Sequence, residues 1–99
     1  GGRGNGGTLI VYEGTITCNG GSYAAGIGTG YYENGGVNVT IMGGIVTAQG
    51  SGAGIGAGAG GTTHGTLTLG DGMIVVDQSD NEIDYTTSRP SYMQVKPRP

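Results

Sequence analysis

Phenylalanine and tryptophan are absent from this chain, cysteine occurs once, proline three times, and charged residues make up only 11%. Each scarcity excludes something. With no Phe or Trp and 34% hydrophobic residues, an ordinary globule would lack the large side chains whose burial offsets the entropy of ordering the chain. The lone Cys18 cannot close an internal disulfide and indicates no redox compartment. No apolar run approaches the roughly 20 residues a membrane helix needs. No signal-peptide pattern is visible, so the chain reads as mature or as cut from something larger.

What is abundant is glycine, 25 of 99 residues. Glycine at this density breaks every 3.6-residue apolar stripe, so no helix is expected. High glycine with few aromatics is also the composition of a disordered linker. Against disorder, the aliphatic residues are gathered into short β-branched runs: TLIVY, GTITC, NVTIM, GIVTA, TLTLG and GMIVV. Such runs, bounded by glycine, read as strands.

The runs repeat. Shifted by 28 residues, Asn38-Val-Thr-Ile-Met-Gly-Gly falls on Thr66-Leu-Thr-Leu-Gly-Asp-Gly, and Ile45-Val-Thr-Ala falls on Met73-Ile-Val-Val. An earlier copy, Thr8-Leu-Ile-Val-Tyr-Glu-Gly, matches at 30 residues, the difference lying in the longer turn Gly20-Gly-Ser-Tyr-Ala. A period of this length signals stacked repeats. Read at period two, the copies place apolar residues over apolar ones: Leu9/Val39/Leu67, Val11/Ile41/Leu69, Ile16/Val46/Ile74, Cys18/Ala48/Val76 and Ile27/Ile55/Ile83. Polar or mixed columns lie between them. The expected fold is therefore all-β, a short parallel β-helix of three coils of about 28–30 residues each, in which equivalent strands pair between coils. The coils run over 8–37, 38–65 and 66–84 within a body of residues 1–84, and 85–99 form an extended tail.

The segment GSGAGIGAGAGG, residues 50–61, alternates glycine with Ser51, Ala53, Ile55, Ala57 and Ala59. That alternation suits a strand with one side-chain-bearing face and one bare face. A bare face allows another backbone to approach closely, so Gly26, Gly28, Gly54 and Gly56 are candidate contact positions. Units of the form GG-(T/I)-(I/V)-T-A…G-x-G-A-G-I-G-x-G resemble the glycine-rich repeats of large bacterial secreted and cell-surface proteins, of the kind common in gut anaerobes. The resemblance is closest over Gly43–Gly60, then Gly14–Gly30, then weaker over Gly70–Asp84. It implies a right-handed β-helix module, a secreted or surface location and a non-catalytic structural or adhesive role. It brings no catalytic residues, and related modules include carbohydrate-binding domains.

Candidate chemistry is sparse. The acids Glu13, Glu33, Asp71, Asp77, Asp80, Glu82 and Asp84 offer no pair on adjacent coils suited to glycoside cleavage, so no enzyme activity and no cofactor are expected. Asp77, Asp80, Glu82 and Asp84 supply oxygens at short spacing, as a calcium site does, but lack the glycine-centred calcium loop. A solvated final coil is the competing reading. Charge in place of glycine at positions 82 and 84 blunts the end of a stack. His64 sits alone in a turn. Tyr23, Tyr31 and Tyr32, in the first coil's turns, are candidate glycan-stacking residues. The outward pairs Thr15/Thr17 and Thr66/Thr68 suggest ice binding, although Ile10, Asn38, Ile45 and Val75 break their columns.

Residues 1–84 carry seven acids and one base, a net −6; the tail carries Arg89, Lys96 and Arg98 and no acid, a net +3. The acidic body argues against nucleic acid. Three prolines bar the tail from continuing the coils, so it is expected to be extended or mobile, or else folded back with its bases on Asp77–Asp84. Finally, Ile45, Met73 and Val75 fall in outward columns and predict an apolar patch. The chain begins inside a repeat, and its first coil exposes strand edges. A homo-oligomer is expected, stacked end to end at the Gly1–Thr8 edge.

Overall fold

The computed structural model describes residues 8–20, 25–28, 37–58 and 65–99. Residues 1–7, Tyr23, Tyr31, Tyr32, Glu33 and His64 lie outside them. The described residues form an all-β structure without helix, in nine strands: β1 (Thr8–Val11), β2 (Thr15–Asn19), β3 (Ile27–Gly28), β4 (Val37–Ile41), β5 (Ile45–Gln49), β6 (Ile55–Gly56), β7 (Gly65–Leu69), β8 (Met73–Val76) and β9 (Tyr92–Pro97). They make three sheets, ordered β1-β4-β7, β2-β5-β9-β8 and β3-β6.

The repeat register fixes most of the pairing. β1, β4 and β7 pair in parallel, with Leu9 beside Val39 beside Leu67, and Val11 beside Ile41 beside Leu69. β2 and β5 pair in parallel with Ile16 beside Val46 and Cys18 beside Ala48. β3 and β6 place Ile27 beside Ile55. Alternation sends Val39, Ile41, Val46, Ala48 and Ile55 into one core, where each is fully buried. The second copy thus supplies the centre, and Leu9, Ile16, Cys18, Leu67 and Leu69 pack against it partly exposed.

The turn between the first and second strands stacks as well. Met42 N–H donates to the Val11 carbonyl at 2.8 Å, and Ile45 N–H to the Gly14 carbonyl at 2.9 Å. Gly14, Gly44 and Gly72 share positive φ values of 106°, 83° and 76°, which explains glycine at this column, since a Cβ there meets the following carbonyl.

The third copy leaves this pattern after Gly70. Gly70 N–H still donates to the Ile41 carbonyl at 2.8 Å, but Met73 N–H turns back to the Gly70 carbonyl at 3.2 Å instead of reaching the copy beneath. β8 is thereby displaced from β5, and β9 runs antiparallel between them. Val46 pairs with Val95 and Ala48 with Met93 on one side of β9, and Val75 with Val95 and Val76 with Gln94 on the other. The second sheet is mixed, and several expectations are corrected by this one insertion. The columns Val46/Ile74 and Ala48/Val76 do not form. Val75 shares a row with Val95 and Val46 and is 4% exposed, so it is not an outward residue, and Met73 is half-buried against the core. Ile74 and Val76 are buried outside the central cluster. A one-residue change of register reverses the faces of a strand, which is why inward and outward residues exchanged in β8.

Ile83 does not continue the Ile27/Ile55 column. Its N–H donates to the Val75 carbonyl at 3.0 Å, and Glu82 bridges Val76 in antiparallel sense. Of the two expectations for the tail, the folded-back one describes the structure. Met93 and Val95 are fully buried, each burial stabilising the docked strand by about 1.5–3 kcal/mol. Lys96 pairs with Asp80, and the Arg98 guanidinium grips both Glu82 carboxylate oxygens at 3.1 Å.

Candidate functional site: the open interior of the third copy

Displacing β8 leaves room beside β7. A cavity of about 590 Å³ opens there, with Leu67, Leu69, Val75 and Ile83 among its walls and Glu82, Asp84, Thr86 and Arg89 among its polar lining groups. A smaller one, about 290 Å³, opens beside the first copy against Leu9, Cys18 and Ile27. Both are places where the apolar interior meets the last strand of the stack. Sequence reasoning missed the larger one, because no residue pattern signals that β8 moves away from β5.

The polar rim of the larger cavity is a local knot. The Asp84 carboxylate accepts the Thr86 hydroxyl at 2.7 Å and the Thr86 N–H at 2.9 Å. The Thr86 hydroxyl, then its N–H, and the nearby Arg89 charge hold the Asp84 carboxyl below its ordinary value, since each favours the anion. Arg89 lies over the Tyr85 ring at 5.4 Å and donates to the Thr86 carbonyl at 2.9 Å, while its Nε is shielded from water without a hydrogen-bond partner. Burial pushes the Tyr85 hydroxyl up, opposed by the Arg89 charge. These groups make a fixed ionic corner beside an apolar wall, a surface suited to binding and to holding shape.

The calcium candidates are not brought together. Asp77 caps its own turn, accepting Ser79 N–H at 2.9 Å and Asn81 N–H at 3.0 Å. Asp80, with φ of 64°, pairs with Lys96, Glu82 with Arg98, and Asp84 with Thr86. Among the described residues no three His, Cys, Asp or Glu side chains form a metal-holding group. The loop is tied down by the tail's cations.

The candidate contact glycines lie against backbone of this same chain. A Cβ on Gly26 would lie 2.6 Å from the Gln49 nitrogen, and one on Gly54 would lie 3.0 Å from the Met93 nitrogen. One on Gly28 would overlap the Gly56 carbonyl oxygen. Gly28, Gly54 and Gly56 are buried. The backbone that approaches belongs to neighbouring copies and to the segment entering β9, where Gly54 N–H donates to the Pro90 carbonyl at 2.7 Å.

Of the tyrosines, Tyr23, Tyr31 and Tyr32 fall outside the described residues. Tyr12 is 73% exposed on the first turn, while Tyr85 is buried. The exposed large apolar side chains among the described residues are Ile10, Tyr12, Met42 and Ile45, gathered around the turn between the first and second strands of the first two copies. The threonine columns are interrupted in the structure too: Thr15 pairs with Ile45, and Thr66 with Asn38, whose side-chain oxygen accepts the Thr66 hydroxyl at 2.9 Å. No helix among the described residues is long and apolar enough to cross a membrane. Comparison with family models, curated proteins and solved structures gave no match.

Proposed function

We propose that this chain is a short right-handed parallel β-helix module, interrupted in its third coil, that serves a bacterial secreted or surface protein as a non-catalytic structural or adhesive element. The observation that carries the reading is the in-register parallel pairing of β1-β4-β7, β2-β5 and β3-β6. Equivalent residues of successive repeats stack at every one of those positions, which is how a solenoid builds a core from small side chains. The resemblance to glycine-rich surface repeats supplies the location and the role. Among the described residues β1, β2 and β3 each have a strand neighbour on one side only, so the first coil offers an edge on which a further coil, from the same or another copy, can stack.

A glycan array probed with the purified protein, run beside ice-crystal shaping, tests the role. Silence in both supports the structural reading. Specific glycan binding that disappears in Tyr31→Ala or Tyr32→Ala replaces it with carbohydrate recognition, and faceted ice crystals replace it with ice binding through threonine.

A further inference from the structure

The second sheet holds two incompatible instructions. The repeat places Met73–Val76 over Ile45–Ala48, so that Ile74 stacks on Val46 and Val76 on Ala48. The structure instead seats β9 on β5 and moves β8 one strand further out, turning Val75 into the core. The departure begins at the Gly70-Asp71-Gly72 turn. Up to Gly70 the third copy hydrogen-bonds to the second as the second does to the first. Gly72 keeps nearly the φ of its stacked equivalent, 76° against 83° at Gly44, yet space is open around it where Gly44 lies against Gly14. Gly72 therefore already has the φ that a stacked third copy needs, while the Met73 N–H bond to the Gly70 carbonyl would have to be exchanged for one to the second copy.

We propose that β9 is a removable terminator: when it leaves, Met73–Val76 reseats in parallel on β5 in the repeat register, and the third copy ends in a regular strand edge able to accept another copy. Both seats satisfy the outer edge of β5. The seat seen here has two antiparallel ladders, the buried Met93 and Val95, and two ion pairs from Lys96 and Arg98. The reseated strand has one ladder and buries Ile74 and Val76 in exchange. The docked form is thus favoured in the isolated chain, and the balance turns on the seating of β9. Of the two seats, only the docked one brings cations to Asp80 and Glu82; release returns those charges to solvent beside the new edge.

The proposal rests on the coil reading above, and the test separates the two. In the full chain with Cys18→Ala, the pair Thr47→Cys and Val75→Cys reports the reseated register, because those positions then face each other as parallel neighbours. In the docked form they lie two strands apart, about 10 Å, on opposite faces, too far for a disulfide. A second pair, Thr17→Cys with Thr47→Cys, reports the coil pairing itself, since these residues are partners across β2 and β5. Adding Val95→Asp places a carboxylate in the core and expels β9. The expected result is a rise of about tenfold or more in the 47–75 cross-link on adding Val95→Asp, with the 17–47 cross-link forming in both backgrounds. A retained 17–47 cross-link without the 47–75 one overturns the terminator and leaves the coil reading standing. Loss of the 17–47 cross-link in the native-tail background defeats the coil reading. Loss of β-sheet circular dichroism on adding Val95→Asp also overturns the terminator, because it shows that β8 has no second seat.

Discussion

At the scale of single residues, glycine does two different things. At Gly14 it supplies a positive φ in open space, whereas at Gly28 a positive φ of 144° coincides with direct apposition to the Gly56 backbone. The first costs an alanine only its backbone strain; the second also forces two strands apart. We expect Gly14→Ala to destabilise the fold by about 1 kcal/mol and Gly28→Ala by about 3 kcal/mol. Urea midpoints at unchanged m-value check this, and equal losses would refute the packing argument. Asp84 gives a residue-scale pH response. Its carboxyl is depressed below the ordinary 3.8, first by the Thr86 hydroxyl and then by the Thr86 N–H. A depressed carboxyl contributes stability that is fully present above its unfolded value and is lost as pH falls through the folded one. The contribution therefore fades below pH 3.8, and Thr86→Ala should return Asp84 toward its ordinary titration. A carbon-detected NMR titration of the carboxyl reads this directly, and an unmoved midpoint would remove Thr86 as the cause.

At the scale of elements, β9 decides the architecture of the second sheet, and its apolar side chains hold it more than its charges do. Met93 is fully buried beside Ala48 of β5, with its sulfur accepting the Ile55 N–H of β6 at 3.3 Å. Met93→Ala should cost about 2–5 kcal/mol. Lys96→Ala and Arg98→Ala should each cost under about 1 kcal/mol, because Arg98 and both carboxylates are solvent-exposed, Lys96 alone being partly covered, and the pairs are screened. Thermal unfolding at low and high salt distinguishes the two contributions: a large salt-dependent loss in the lysine or arginine variant would mean that the ion pairs, and not the buried side chains, seat the strand. The strand was legible only in part. Tyr92-Met-Gln-Val-Lys alternates half-buried and buried residues, but three prolines and three bases in and around the strand point to an exposed tail. What the bases do reveal is a destination, since the nearest run of acids in the sequence is Asp77–Asp84.

At the scale of the whole molecule, the two ends of the stack differ. The first copy presents three strands with a free side and a shallow apolar opening. At the other end, β8 is bridged by Glu82 and the loop beyond it is fastened by Lys96 and Arg98. Self-association is therefore expected at the first-copy edge. Light scattering at high micromolar concentration should give a mass above the 9.8 kDa of one chain. Ile10→Lys, which charges the edge strand β1, should return it to that mass, whereas Ile45→Lys should not, since Val75 is inside and the patch expected around Ile45 is smaller than the sequence pattern implies. A monomer in the unmodified protein would defeat the edge-stacking idea.

The sequence by itself determined the strands, their inward residues and the register between copies wherever a strand pairs with its own equivalent. Leu9 over Val39 over Leu67, and Ile27 over Ile55, follow from period-two alternation repeated at a fixed spacing, because such pairing is set by local pattern and by turn length. Tertiary structure alone decided which strand lies beside β5. Two candidates compete for that edge, the repeat's own β8, apolar throughout Met73–Val76, and the distant β9, which alternates Met93 and Val95 with polar residues. The choice depends on the difference between two complete arrangements of hydrogen bonds, burial and charge, and no window of sequence contains that difference. The cavity beside β7, the inward turn of Val75 and the fastening of the acidic loop all follow from it.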